Sequence, residues 1–220
     1  MLICEELFLL LRRDDGKPES AFSQNGYGLA AAAVTDLILA ERVALSDDKD
    51  PRVRVVNPQP TGHPALDAAL ARLADKDDRK LSACVVDAKV NPEKQVVQAL
   101  AAAGVIDVEE KRALGFVPEK YPIRDAAHEQ AVRQRLAAVL AGARPTVADA
   151  TLLAILQGID LAPRVLEQEK GELGKKELKA RIEQVTHDVP AGTAVTKAVQ
   201  SMNAAILTAV IIPTVVTGSS

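Results

Sequence analysis

The sequence predicts a mainly α fold: a single globular domain of many helices with short β-hairpins, arranged as winged-helix-like units. Three observations carry this. Hydrophobic residues make up 48% of the 220 residues and aromatics only 2%, so Ala, Leu and Val must fill the core. Small side chains of this kind suit closely packed helices. Apolar residues recur at helical spacing through most of the chain. Finally, two helix-like runs each lead through charged or glycine-containing residues into short extended stretches, the pattern of a helix followed by a two-stranded wing.

In chain order, residues 2–13 form the first helix, with Leu7, Leu10 and Leu11 on its buried side. Asp14, Asp15 and Gly16 end it. A second helix covers 28–41, and residues 42–45 and 52–56 form a hairpin around the turn Asp47 to Pro51. In the second hairpin arm Val53 and Val55 share one face, and Arg52 and Arg54 the other. Pro58, Pro60 and Gly62 shape a stiff turn. His63 then stands at a helix cap, with Pro64 at the first helical position. Leu66, Leu70 and Leu73 place the buried face of that helix, and the charged run 75–80 reads as a solvated loop. The second unit is a helix over 92–103, a Gly104 cap, a strand beginning at Val105 and Ile106, and a hairpin arm over 113–117. Helices follow over 125–140, 147–156, 162–169, 175–187 and 194–212. One domain is expected over 1–216, with a tail at 217–220.

There are 27 basic and 30 acidic residues, a formal net charge of -3. A nucleic-acid partner is therefore not expected. The helix over 28–41 holds no basic residue and that over 92–103 only Lys94, which counts against a winged-helix-like DNA-binding regulator. Cys4 and Cys84 have no metal spacing and read as buried free thiols in a reducing compartment. The N-terminal apolar run is interrupted by Glu5 and Glu6 and its basic residues follow it, which is not a signal-peptide pattern. No stretch reaches the roughly 20 apolar residues of a membrane span. The nearest, 204–216, is broken by Pro213.

Catalytic patterns are not found. His63, His128 and His187 lack a second ligand at zinc spacing. There is no nucleophile elbow and no phosphate-binding glycine loop. Adjacent carboxylates such as Glu109 and Glu110 read as solvated. The expectation is a protein that is not an enzyme, with no cofactor and no metal.

Several stretches taken together carry a family resemblance. They are Glu5 to Leu11, Asp36 to Val43, Pro60-Thr61-Gly62 with Leu66 to Leu70, Ala101 to Ile106, Tyr121-Pro122-Ile123 and Leu152 to Leu156. In order and spacing the chain resembles the Golgi phosphoprotein 3 family, particularly its bacterial members. The resemblance implies a mainly helical, non-catalytic, cytoplasmic adaptor that is peripheral at the membrane. Its implied partners are an anionic phospholipid surface and protein tails, and a homo-oligomer is left open. Eukaryotic relatives bind phosphatidylinositol 4-phosphate through a tryptophan and several basic residues. The tryptophan falls near Ala21 or Phe22 here. One arginine falls on Ala30, and two others fall near Val90 and Glu93, with Lys89 and Lys94 close by. A phosphate needs convergent cations and backbone donors, and alanine, valine and glutamate supply no such cations.

The resemblance also implies a membrane-inserting hairpin, at residues 112–121, with Leu114, Phe116 and Val117 near the tip and Lys111, Arg112 and Lys120 flanking it. Apolar groups at such a tip insert while the cations meet anionic lipid. The other reading of Phe116 is packing on its own domain or in an oligomer interface. A soluble interaction scaffold without lipid recognition remains the alternative function.

Overall fold

The structure is a computed structural model that describes residues 1–13, 15–20, 24–48, 51–109 and 119–188. The described residues are mainly helical, around one continuous hydrophobic core. At its centre lies α1 (Ile3–Leu10), which packs on α2 (Gln24–Leu39), α5 (Glu93–Ala102), α6 (Ala127–Leu140) and α7 (Val147–Gly158). Every residue of α1 is buried, Glu5 and Glu6 included. The expected one-sided helix is therefore surrounded, and it is shorter than residues 2–13.

Helix α2 starts four residues before the expected position and is buried nearly all round from Gly28 to Ile38. Its small residues allow this. Ala30 to Ala33 are fully buried, and a Cβ on Gly28 would lie 3.1 Å from an Ile155 methyl carbon and 3.4 Å from one of Leu7. Asp36 of α2 caps α1 from outside: its carboxylate accepts the amides of Ile3 and Cys4, each at 3.0 Å. Cys4 and Cys84 are free and buried.

The hairpin forms as expected. Strands β1 (Val43–Leu45) and β2 (Arg52–Val55) pair antiparallel, with Val43 opposite Val55 and Leu45 opposite Val53. A third strand, β3 (Arg79–Lys80), adds to β2, so of the run 75–80 read as a solvated loop, 75–78 form a mostly exposed turn and 79–80 are strand. Two acids of that run have partners on β2. Asp77 accepts the Val55 amide at 2.8 Å, and Asp78 accepts Arg54 Nε at 2.7 Å.

Helix α3 (Pro64–Ala74) begins at Pro64 and buries Leu66, Leu70 and Leu73. His63 occupies the cap position but its side chain makes no cap bond. Its Nε2 lies 3.2 Å from Glu5 Oε1 and so ties the turn to α1. Asp67 orders the turn instead, accepting the Thr61 amide at 2.6 Å and hydroxyl at 2.7 Å.

A short α4 (Leu81–Val85) precedes α5, and Gly104 at φ +72° turns the chain out of it. Among the described residues the second wing is reduced to two isolated bridges, Ile106 with Ile123 and Glu109 with Lys120. The arm expected at 113–117 lies outside the described residues, as does the helix expected at 194–212. Helix α7 is capped by Thr146, whose hydroxyl accepts the Asp149 amide. Of the helix expected at 162–169, α8 (Ala162–Val165) covers the first turn, and α9 (Lys175–His187) has the expected bounds. Arg135 of α6 joins Glu6 of α1 to Asp149 of α7 through pairs of 2.9 and 2.6 Å. Among the described residues, no helix is long and apolar enough to cross a membrane.

Candidate functional site

The end of α1 sets the site. Arg12 is only 6% exposed, and burial of a guanidinium requires compensation. Two aromatic rings supply part of it. The Arg12 guanidinium carbon lies 4.4 Å from the Phe8 ring centre and 5.3 Å from that of Tyr121, and the rings are 5.8 Å apart. Each is within cation–π range. Glu93 Oε1 supplies the charge partner, accepting from Arg12 Nη2.

Tyr121 arrives from the base of the second wing. Its amide donates to Gly16 O at 3.1 Å. Gly16 has φ +75°, and a Cβ there would lie 2.4 Å from Pro122 N, so only glycine permits this approach. Burial, with the hydroxyl bond to Glu119, pushes the Tyr121 phenol up to about 12.

Beside Arg12 opens a cleft of about 330 Å³. Four segments form it: the end of α1 with Pro18 and Ser20, the first turn of α2, the turn after α4, and the start of α5. Asn25 donates from Nδ2 to Ser20 O at 3.2 Å. Across the cleft, Asn91 Oδ1 accepts the Glu93 amide at 3.0 Å, the side-chain turn that starts α5. Asp87 is held by Arg72 Nη2 at 2.7 Å and Arg79 Nη1 at 2.8 Å, and accepts the Lys89 amide. Burial alone would raise this carboxyl, but the two arginines and the amide hold it down at about 2.

Of the residues singled out by resemblance, Glu93 alone lines this cleft among the described residues. Glu93 is in its wall, and its carboxylate neutralises Arg12. Lys89 is exposed between two lining residues, Asp87 and Asn91, and Lys94 is exposed on α5. Ala30 and Val90 are 0% and 1% exposed, so neither side chain reaches solvent. Phe22, Leu114, Phe116 and Val117 lie outside the described residues. Arg12, Asn25, Tyr27, Asp87 and Asn91 are cleft residues that the sequence reading did not select. The Asn-Pro-Glu run at 91–93 was a usable signal of a helix start, but nothing local connects it to Arg12. Among the described residues no group of three or more His, Cys, Asp or Glu is placed to hold a metal ion.

The sequence pattern described as Golgi phosphoprotein 3 (GPP34) matches residues 3–202. The chain belongs to this family. The match spans α1 to α9 and both halves of the cleft, so the family assignment and the helical fold agree over one continuous stretch. A search among curated proteins finds no match.

Proposed function

We propose that this family member is a non-catalytic adaptor, cytoplasmic and peripheral at the membrane, attached to anionic phospholipid and presenting a surface to protein tails. The observation that supports it most is the base of the second wing. Glu109 and Lys120 exchange two backbone bonds, of 3.0 and 3.2 Å, which bring the two ends of the intervening sequence together. That point is fastened to Gly16 and Tyr121 beside Arg12. The sequence between its ends contains Leu114, Phe116 and Val117, with Lys111 and Arg112 next to them. An apolar sequence flanked by cations suits insertion at an anionic interface, where each basic residue contributes about 1 kcal/mol. Lys89 and Lys94 are exposed and add to that charge.

Co-sedimentation with vesicles tests this. The wild type should pellet with vesicles rich in anionic phospholipid and remain in solution with neutral phosphatidylcholine. Leu114→Asp with Phe116→Asp should abolish pelleting without lowering the melting temperature. Equal solubility of wild type and variant in the presence of anionic vesicles would refute the membrane reading and leave a soluble interaction scaffold.

A further inference from the structure

A second cleft, larger than the one beside Arg12, lies between the end of α7, the start of α8 and the first half of α9. It holds about 480 Å³, within the ordinary range of small-molecule sites. Its lining is mainly apolar. Leu178 and Ile182 of α9 back the groove and are almost fully covered. The open surface therefore belongs to the half-buried Pro163 and to the exposed Lys175, Lys176 and Lys179. A lysine offers an apolar methylene stem beneath its charged head.

The rim is basic. Three lysines stand against two carboxylates, Asp160 and Glu183, which leaves one net positive charge. The ion pairs among them are loose. Lys175 Nζ lies 3.7 Å from Asp160 Oδ1, Lys179 Nζ lies 3.9 Å from Glu183 Oε1, and all four side chains are exposed. Pairs of this kind contribute little, so another anion replaces the carboxylate at small cost. Lys176 has no ion pair among the described residues.

These features select the occupant. A second copy of the chain, placed on this face by a two-fold axis, would oppose one basic rim to another. A phosphate ion would leave the apolar walls uncovered, and a neutral apolar compound would leave the lysines without an anion. One negative charge on a linear apolar body meets both.

We propose that the groove between α7, α8 and α9 binds a free medium-chain fatty acid. Its carboxylate lies at Lys176 and Lys179, and its acyl chain runs along Pro163 and the lysine stems. This goes beyond the membrane reading and depends on neither the hairpin nor the cleft beside Arg12.

The test is isothermal titration calorimetry of the full chain with decanoate and dodecanoate, each below its micelle concentration. Each should bind at one saturable site. Dodecanoate should bind about tenfold more tightly, because each buried methylene contributes up to about fourfold. Dodecanol and dodecyltrimethylammonium, with the same chain but no negative charge, should bind weaker than dodecanoate by roughly tenfold. Lys176→Gln with Lys179→Gln should lower dodecanoate affinity by a similar factor and leave dodecanol unchanged. Both positions are exposed, and circular dichroism checks that the variant is folded. Lys76→Gln, at an exposed lysine on the turn before β3, should leave dodecanoate binding as it is. The proposal is overturned by the absence of saturable binding, or by equal affinity for dodecanol or the ammonium. It is also overturned if the Lys176 and Lys179 variant binds dodecanoate as the wild type does, or if Lys76→Gln weakens it equally. Leu114→Asp with Phe116→Asp should keep dodecanoate binding whatever it does to vesicle binding. Loss of dodecanoate there would place the site on the hairpin and sink the assignment to this groove.

Discussion

Asp36 shows how one buried carboxylate couples two helices and gives the fold a pH dependence. Burial pushes its carboxyl up from 3.8 to about 6, although the amides of Cys4 and Ile3 pull it down. A folded-state value above the unfolded one means that the folded protein holds its proton longer. The contribution to stability is therefore full below about 4 and is lost as pH rises through about 6. Two units correspond to a difference of order 3 kcal/mol. In urea unfolding between pH 4 and pH 7, the wild type should lose stability with a slope that Asp36→Asn does not show. Parallel curves would refute the assignment. Asp87 has the opposite sign. Held at about 2 by Arg72 and Arg79 in spite of burial, it stabilises the fold above about 4, and that contribution disappears as pH falls toward 2. Asp87→Asn should cost about 2 kcal/mol at neutral pH, read from the urea midpoint, because it leaves two half-buried arginines without their anion. His63 is a plainer case. As a cap it does nothing with its ring, and its link to Glu5 was not readable from the local pattern of a proline-flanked turn.

Elements were read well where periodicity alone decides them, and less well where a distant partner does. α9 has the expected bounds because its sequence is strongly patterned and starts after a glycine. The second strand of the hairpin follows from alternation of valine and arginine. β3 was missed because a run of charges looks solvated until the arginines of β2 are placed opposite it. The base of the second wing depends on one glycine. With φ +75° and no room for a Cβ, Gly16→Ala should destabilise the protein by about 2 kcal/mol or more. The change should be accompanied by faster amide exchange at Tyr121, whose amide is bonded to Gly16. Unchanged protection at Tyr121 would mean that the wing is held elsewhere.

Across the whole molecule, α1 is the element on which the others converge. Among the described residues four helices pack on it, Asp36 caps it, and Glu6 joins it through Arg135 to α7. Leu7 is fully buried there, beside Gly28 of α2, and Leu7→Ala should cost about 3–4 kcal/mol, measured by chemical denaturation, for the cavity it leaves in the core. The same convergence makes the cleft. Arg12, Asn25, Asp87 and Glu93 come from segments up to 81 residues apart and meet only because α1, α2 and α5 share one core. A residue-by-residue transfer of family positions reached Glu93 and the neighbourhood of Lys89, but placed Ala30 and Val90 in the interior.

What the sequence by itself determined is the helical class, the order of most elements and the family. These rest on apolar periodicity, turn chemistry and ordered stretches, which are local properties of the chain. The tertiary structure alone decided which side chains face one another. That α1 is buried on every side and that Glu93 cancels the charge of Arg12 are consequences of packing between segments far apart in sequence. Charge balance and hydrogen-bond satisfaction are set by distance in space, and no spacing along the chain encodes that distance.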